Sequence, residues 1–129
     1  MNTKTLLILS VLFLAALGLG FSFLPAEILE ELHIESNSIT TILMQILGAL
    51  FLGFGMMNWM AKDSIIGGIY NKPLVVGNLM HFGVGAITLL KIVFTLKENT
   101  RVLIPLTILY LVFAVAFFLI FKNTPKAVK

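Results

Sequence analysis

The chain has no cysteine. That excludes a disulfide framework, thiol catalysis, a cysteine metal site and a lipoprotein anchor. Charge is scarce as well: Asp, Glu, Lys and Arg make up 12% of the residues, about half the usual share in a soluble domain. With 59% hydrophobic residues this is the reverse of a disordered composition. A chain of 129 residues is also too short to bury so much apolar surface in water, because a domain of that size buries only about 60–70% of what its unfolded chain exposes. The mean hydropathy of +1.05 points instead to an integral membrane protein.

Chemistry-bearing motifs are missing too. There is no glycine-rich nucleotide loop, no Ser-His-Asp set, no zinc-ligand cluster and no pair of carboxylates within reach of each other, which points away from an enzyme and gives no reason to expect a metal or cofactor. No apolar run contains a carboxylate, which argues against a cation- or proton-coupled exporter. The two histidines, His33 and His81, fall on opposite sides of the membrane and cannot jointly hold a haem.

What is present is four long apolar runs, at about 5–24, 39–61, 74–96 and 102–121. Each has the roughly 20 residues that a helix needs to cross a bilayer core of about 30 Å. They leave no room for a soluble domain, so residues 1–129 read as a single transmembrane domain, an antiparallel four-helix bundle. The first run is longer than the ~7–15 residues of a signal-peptide core, so it is expected to be retained as a helix.

The placement of charge orients the spans. Lys4, Lys62, Lys72, Lys122, Lys126 and Lys129 lie on one side, against Lys97 and Arg101 on the other, where Glu27, Glu30, Glu31 and Glu35 also lie. The positive-inside rule then puts both termini in the cytoplasm and the protein in the cell (inner) membrane. The formal charge of +3 is thus accounted for by topology and calls for no nucleic-acid partner.

Between the first two spans, Pro25 suits a first helical turn. Ile28, Leu29 and Leu32 share a face opposite the glutamates, which predicts a short interfacial helix on the outer surface. Ser36-Asn37-Ser38 supplies an N-cap for the second span. Gly67-Gly68 breaks the second link, and Pro105 stands one turn into the fourth span, where a missing donor costs little. Glu30-x-x-His33 has a metal-bundle spacing, but it occurs once, in a surface link.

Polar residues inside spans are costly, so their placement is informative. In the third span Asn78, His81, Gly85, Thr88, Lys91 and Thr95 form one stripe, ~140° wide at ~100° per residue. The second span carries Gln45, Gly48, Leu52, Gly55 and Trp59, flanked by Asn58 and Lys62. Small residues allow close helix approach, so these two faces are expected to pack together, with a groove between them. His81 suits a ligand, proton-relay or quinone contact, or a structural hydrogen bond to Asn58 or a backbone carbonyl. Lys91 suits either a cationic site or a side chain reaching up to the outer headgroups. Asn58 and Asn78 also suit interhelical hydrogen bonding, and Trp59 with Tyr70 the inner aromatic belt. Gln45 and Thr88 complete the candidate groove. The first span offers Ser10 and small residues, among them Ala16, Gly18, Gly20 and Ser22. The fourth, with Phe113, Phe117 and Phe118, reads as lipid-facing.

Leu47-Gly-Ala-Leu-Phe-Leu-Gly-Phe-Gly-Met-Met-Asn-Trp59, in the second of four short spans, resembles small bacterial DoxX-like membrane proteins and related families. The resemblance covers the four-span layout and this one segment. It implies an accessory subunit of a membrane oxidoreductase, or a protein of unknown role, and transfers no catalytic residue.

Three functions follow from these residues. The first is a non-enzymatic accessory or small-lipophile-binding protein. The second is an oligomeric transporter or channel with the stripe of the third span lining its path, since one chain of four helices has no room for a pore. The third is a quinone-contacting subunit of a membrane oxidoreductase, within a larger membrane complex. Membrane lipids are the expected surroundings in all three.

Overall fold

Asn2 starts the first helix. Its side chain accepts a hydrogen bond from the Lys4 backbone N–H at 3.1 Å, satisfying one of the donors that a helix N-terminus leaves open. In the computed structural model, which describes residues 2–64, 71–95 and 100–123, this helix, α1, runs over Thr3–Phe23. It is followed by α2 (Pro25–Glu31), α3 (Ser38–Ala61), α4 (Lys72–Thr95) and α5 (Thr100–Asn123). All but α2 are long and apolar enough to cross a membrane. The described residues contain no strand, and the fold is the expected all-α membrane type. Gly67, Gly68, Tyr70, Lys97, Lys126 and Lys129, expected in links, the aromatic belt and the tail, lie outside the described residues.

The chain forms two compact units, Met1–Asp63 and Ser64–Lys129. In the first, α1 packs along α3. Leu7, Ser10, Leu14 and Gly18, with Leu6 beside the first, are the buried positions of α1; Gly48, Phe51, Gly55 and Asn58 are those of α3. Both sets follow the three-and-four spacing of a helical stripe. The backbones approach closely at Gly18 and Gly48. A Cβ on Gly48 would stand 2.8 Å from the Ser22 nitrogen and 2.9 Å from the Gly18 carbonyl oxygen, so only glycine fits this crossing.

The far end of this hairpin is closed by α2, which touches both long helices. Pro25 occupies its first turn, Leu29 is buried, and Glu27, Glu30, Glu31 and Glu35 are exposed, as the amphipathic pattern predicts. The helix ends in a Schellman turn: the His33 N–H donates to the Glu30 carbonyl and the Ile34 N–H to the Leu29 carbonyl, both at 2.9 Å. His33 takes the left-handed position of that turn, with φ of 56°, where glycine is the usual occupant. The next helix opens on a reciprocal cap. Asn37 accepts from the Ile39 and Thr40 N–H groups at 2.9 and 3.0 Å, and Thr40 Oγ1 accepts from the Asn37 N–H at 2.9 Å.

At the opposite end an ionic clasp joins the start of α1 to the end of α3. Asp63 Oδ1 lies 2.6 Å from Lys4 Nζ, and Oδ2 lies 3.2 Å from Lys62 Nζ. The Lys4 ammonium, then that of Lys62, holds the Asp63 carboxyl below the usual carboxylate range. The clasp is therefore present at neutral pH and is lost only as the pH falls through that lowered value. The group is exposed, so salt weakens it.

In the second unit α4 packs against α5. The centre of the contact is Phe82, fully buried, its ring 4.8 Å from that of Phe113, 5.7 Å from that of Phe117 and 5.4 Å from that of Tyr110. Here the fourth span departs from expectation. Phe113 and Phe117 are 7% and 1% exposed and belong to the core, whereas Phe118, at 52%, faces outward as expected. A helix of nearly uniform Leu, Val and Phe carries no polar contrast to mark its inner face, and it is ring stacking, not hydropathy, that selects that face.

Candidate functional site

Several polar residues of the spans make hydrogen bonds within their own hairpins. In the first, Asn58 Nδ2 donates to Ser10 Oγ at 2.9 Å, and Ser10 Oγ donates to the Leu7 carbonyl at 2.8 Å. Both side chains are fully buried. Asn58 is thus an interhelical hydrogen-bonding residue, with Ser10 of the first span as a partner. Replacing Asn58 with leucine and Ser10 with alanine, singly and together, is expected to give a coupling of about 0.6 kcal/mol, up to about 1.7, in a thermal-unfolding cycle in mild detergent. A coupling of zero would mean that the bond contributes nothing.

In the second, Asn78 is fully buried and donates to the Leu74 carbonyl at 3.0 Å. His81 lies edge-on to Phe82 at 4.9 Å, and its Nε2 stands 3.4 Å from the Tyr110 hydroxyl. Tyr110 also covers Gly85, where a Cβ would strike its ring. Sequence reasoning passed over Tyr110, although a phenol within a span was signal enough to flag it. Beyond Gly85 the stripe is exposed. Thr88 and Thr95 return their hydroxyls to the carbonyls of Val84 and Lys91 at 3.0 and 2.8 Å, and Lys91 is exposed, as is Gln45 on α3. Glu30 and His33 are both exposed, and no three potential metal ligands group together among the described residues.

The glycines of both stripes have close neighbours within their own hairpins. Gly48 and Gly55 lie against α1, and Gly85 lies against α5. The small residues of the first span and the phenol of the fourth are what these glycines approach.

One concavity is built entirely within the first hairpin. Val11 and Ala15 of α1 and Leu52, Gly55, Met56 and Trp59 of α3 line an open apolar groove of about 480 Å³. Its floor is Gly55, whose role differs from that of Gly48. A Cβ on Gly55 would meet Leu14 Cβ at 3.6 Å, the Ala15 nitrogen at 3.8 Å and the Val11 oxygen at 3.9 Å, all ordinary contacts. Helix packing thus does not demand glycine there, and its absent side chain leaves the groove deep. Trp59, 48% exposed, forms one end. The Lys62 ammonium sits 3.8 Å above the centre of its ring and 3.4 Å from its carbonyl oxygen. Of the residues singled out in the sequence, only Gly55, Leu52 and Trp59 line it. The α1 wall was missed because Val11 and Ala15 are unremarkable in an apolar helix.

No protein-family model, curated protein or solved structure matches the chain.

Proposed function

We propose that this small membrane protein is a non-enzymatic accessory protein that holds one lipophile in the groove between α1 and α3. The observation that carries this reading is Gly55: a depression floored by a glycine that the helix contact does not require. The walls are apolar, as a hydrocarbon ligand needs, and Trp59 offers an aromatic face at one end. Leu52, Gly55, Met56 and Trp59 all fall in the segment that resembles DoxX-like proteins, whose implied accessory role agrees with binding rather than catalysis. The site is placed on the face of α3 that turns to α1, and Asn58, Asn78 and His81 act as packing residues.

The test is native mass spectrometry of the protein gently extracted from its own membrane. Ala15 is half-buried on the groove wall, and leucine there fills the space. The wild type is expected to carry one discrete lipophile, and Ala15→Leu to lose it while keeping its helicity and thermal midpoint. Wild-type protein that emerges bare, or a ligand indifferent to Ala15→Leu, would sink the reading. A bare higher oligomer would favour the transporter class, for which the exposed Thr88, Lys91 and Thr95 of α4 are the supporting observation.

A further inference from the structure

We propose that the occupant of this groove is an anionic phospholipid, one acyl chain lying along α3 and the phosphate held at the Lys62 end. The inference rests on the groove being a lipophile site and adds the class of the ligand.

Three observations converge on it. The first is charge. Lys4 and Lys62 share a single carboxylate, each taking one oxygen of Asp63, so the cluster keeps a net charge of about +1 at neutral pH. The second is position. Lys62 lies on the Trp59 ring, and Trp59 is a wall of the groove, so the ammonium stands at the rim of the apolar slot. An anionic headgroup and a hydrocarbon chain joined in one molecule match those two surfaces in that order. The third is depth. From Lys62 back to Leu52 the helix rises about 15 Å, which is half of a ~30 Å hydrocarbon core. The slot, lined on α3 from Leu52 to Trp59, and the lysine at its rim together cover the distance from the bilayer midplane to the headgroup level, the reach of a lipid chain in a single leaflet. With the orientation read from the distribution of lysines, that is the cytoplasmic leaflet, where anionic lipids attract basic residues.

The experiment uses the full chain in nanodiscs holding equal amounts of phosphatidylglycerol and phosphatidylcholine with identical acyl chains. Native mass spectrometry after release reads the ratio of the two lipids retained. Phosphatidylglycerol is expected to be favoured about fivefold, the effect of one basic residue at an anionic surface. Lys62→Gln should bring the ratio close to one, and Asp63→Asn, which removes the competing carboxylate, should raise it. Ala15→Leu should remove both lipids together. Equal retention in the wild type, with both lipids lost in Ala15→Leu, would overturn the headgroup assignment and leave the groove standing. Retention unaffected by Ala15→Leu would overturn both. A preference that survives Lys62→Gln would overturn the role of the lysine and with it this proposal. Circular dichroism and thermal midpoints of each variant separate loss of ligand from loss of fold.

Discussion

Gly48→Ala is expected to destabilise the first hairpin by about 2 kcal/mol, and Gly48→Leu by more, within or above the range typical of overpacked cores. The reason is the kind of atom that a new Cβ meets. The Ser22 hydroxyl, 2.5 Å away, can rotate aside. The Ser22 nitrogen and Gly18 carbonyl oxygen are backbone and move only if α1 moves with them. Separation of the helices would also stretch the Asn58–Ser10 bond ten residues along α3. Two sister substitutions isolate the cause. Gly55→Ala meets ordinary contacts and Gly53→Ala meets nothing within 4 Å, so neither should destabilise; alanine's better helix propensity favours each by up to about 1 kcal/mol. Thermal unfolding of the three variants in one detergent decides it. Equal midpoints for Gly48→Ala and Gly53→Ala would show that the helices do not depend on this crossing.

In the second unit the largest effect is expected from Phe82→Ala. Its ring has Phe113, Phe117, Tyr110 and His81 as neighbours, with nothing of it exposed. In water such a truncation costs about 3–5 kcal/mol, part of it the transfer of apolar surface. That part falls away in a membrane, because lipid tails are as apolar as the core. The cavity part remains: a void on the order of 100 Å³ at about 24 cal/mol per Å³ costs roughly 2 kcal/mol. Phe82→Leu should recover about half. Phe118→Ala, on an exposed face of the same hairpin, should change the midpoint little. If it matched Phe82→Ala, the aromatic cluster would not be what holds α4 to α5.

These comparisons also indicate what could be read before any coordinates. Four spans, the helix from Pro25 and the Asn37 cap were legible because each rests on a local signal: length with hydropathy, a proline at a first turn, a side chain two or three residues before the N–H groups it accepts from. Which span meets which was not legible. Three spans carry small residues, and in lipid no hydrophobic gradient separates an inner from an outer face. Gly48 therefore read equally well as facing the third span, although its neighbours are Gly18 and Ser22. Phe117 and Phe118, adjacent in one helix, are indistinguishable by composition, yet one is buried and the other is not. The groove escaped notice because its α1 wall is ordinary and its floor is defined by a missing side chain. Trp59 read as part of a groove between the second and third spans, and it is a lining residue of the groove between α1 and α3.

The bond between Asn58 and Ser10 bears on how the chain enters its membrane. Synthesis runs from the N-terminus, so Ser10 is already in the bilayer when Asn58 arrives. A lone amide side chain reaching hydrocarbon is penalised until it finds a partner. Here the partner waits on the preceding span, and the first hairpin closes on itself when residue 61 is in place, with Asp63 following to meet Lys4. Order of synthesis and the pairing of these two polar groups thus coincide: the bond can form as soon as the second span has entered the bilayer beside the first.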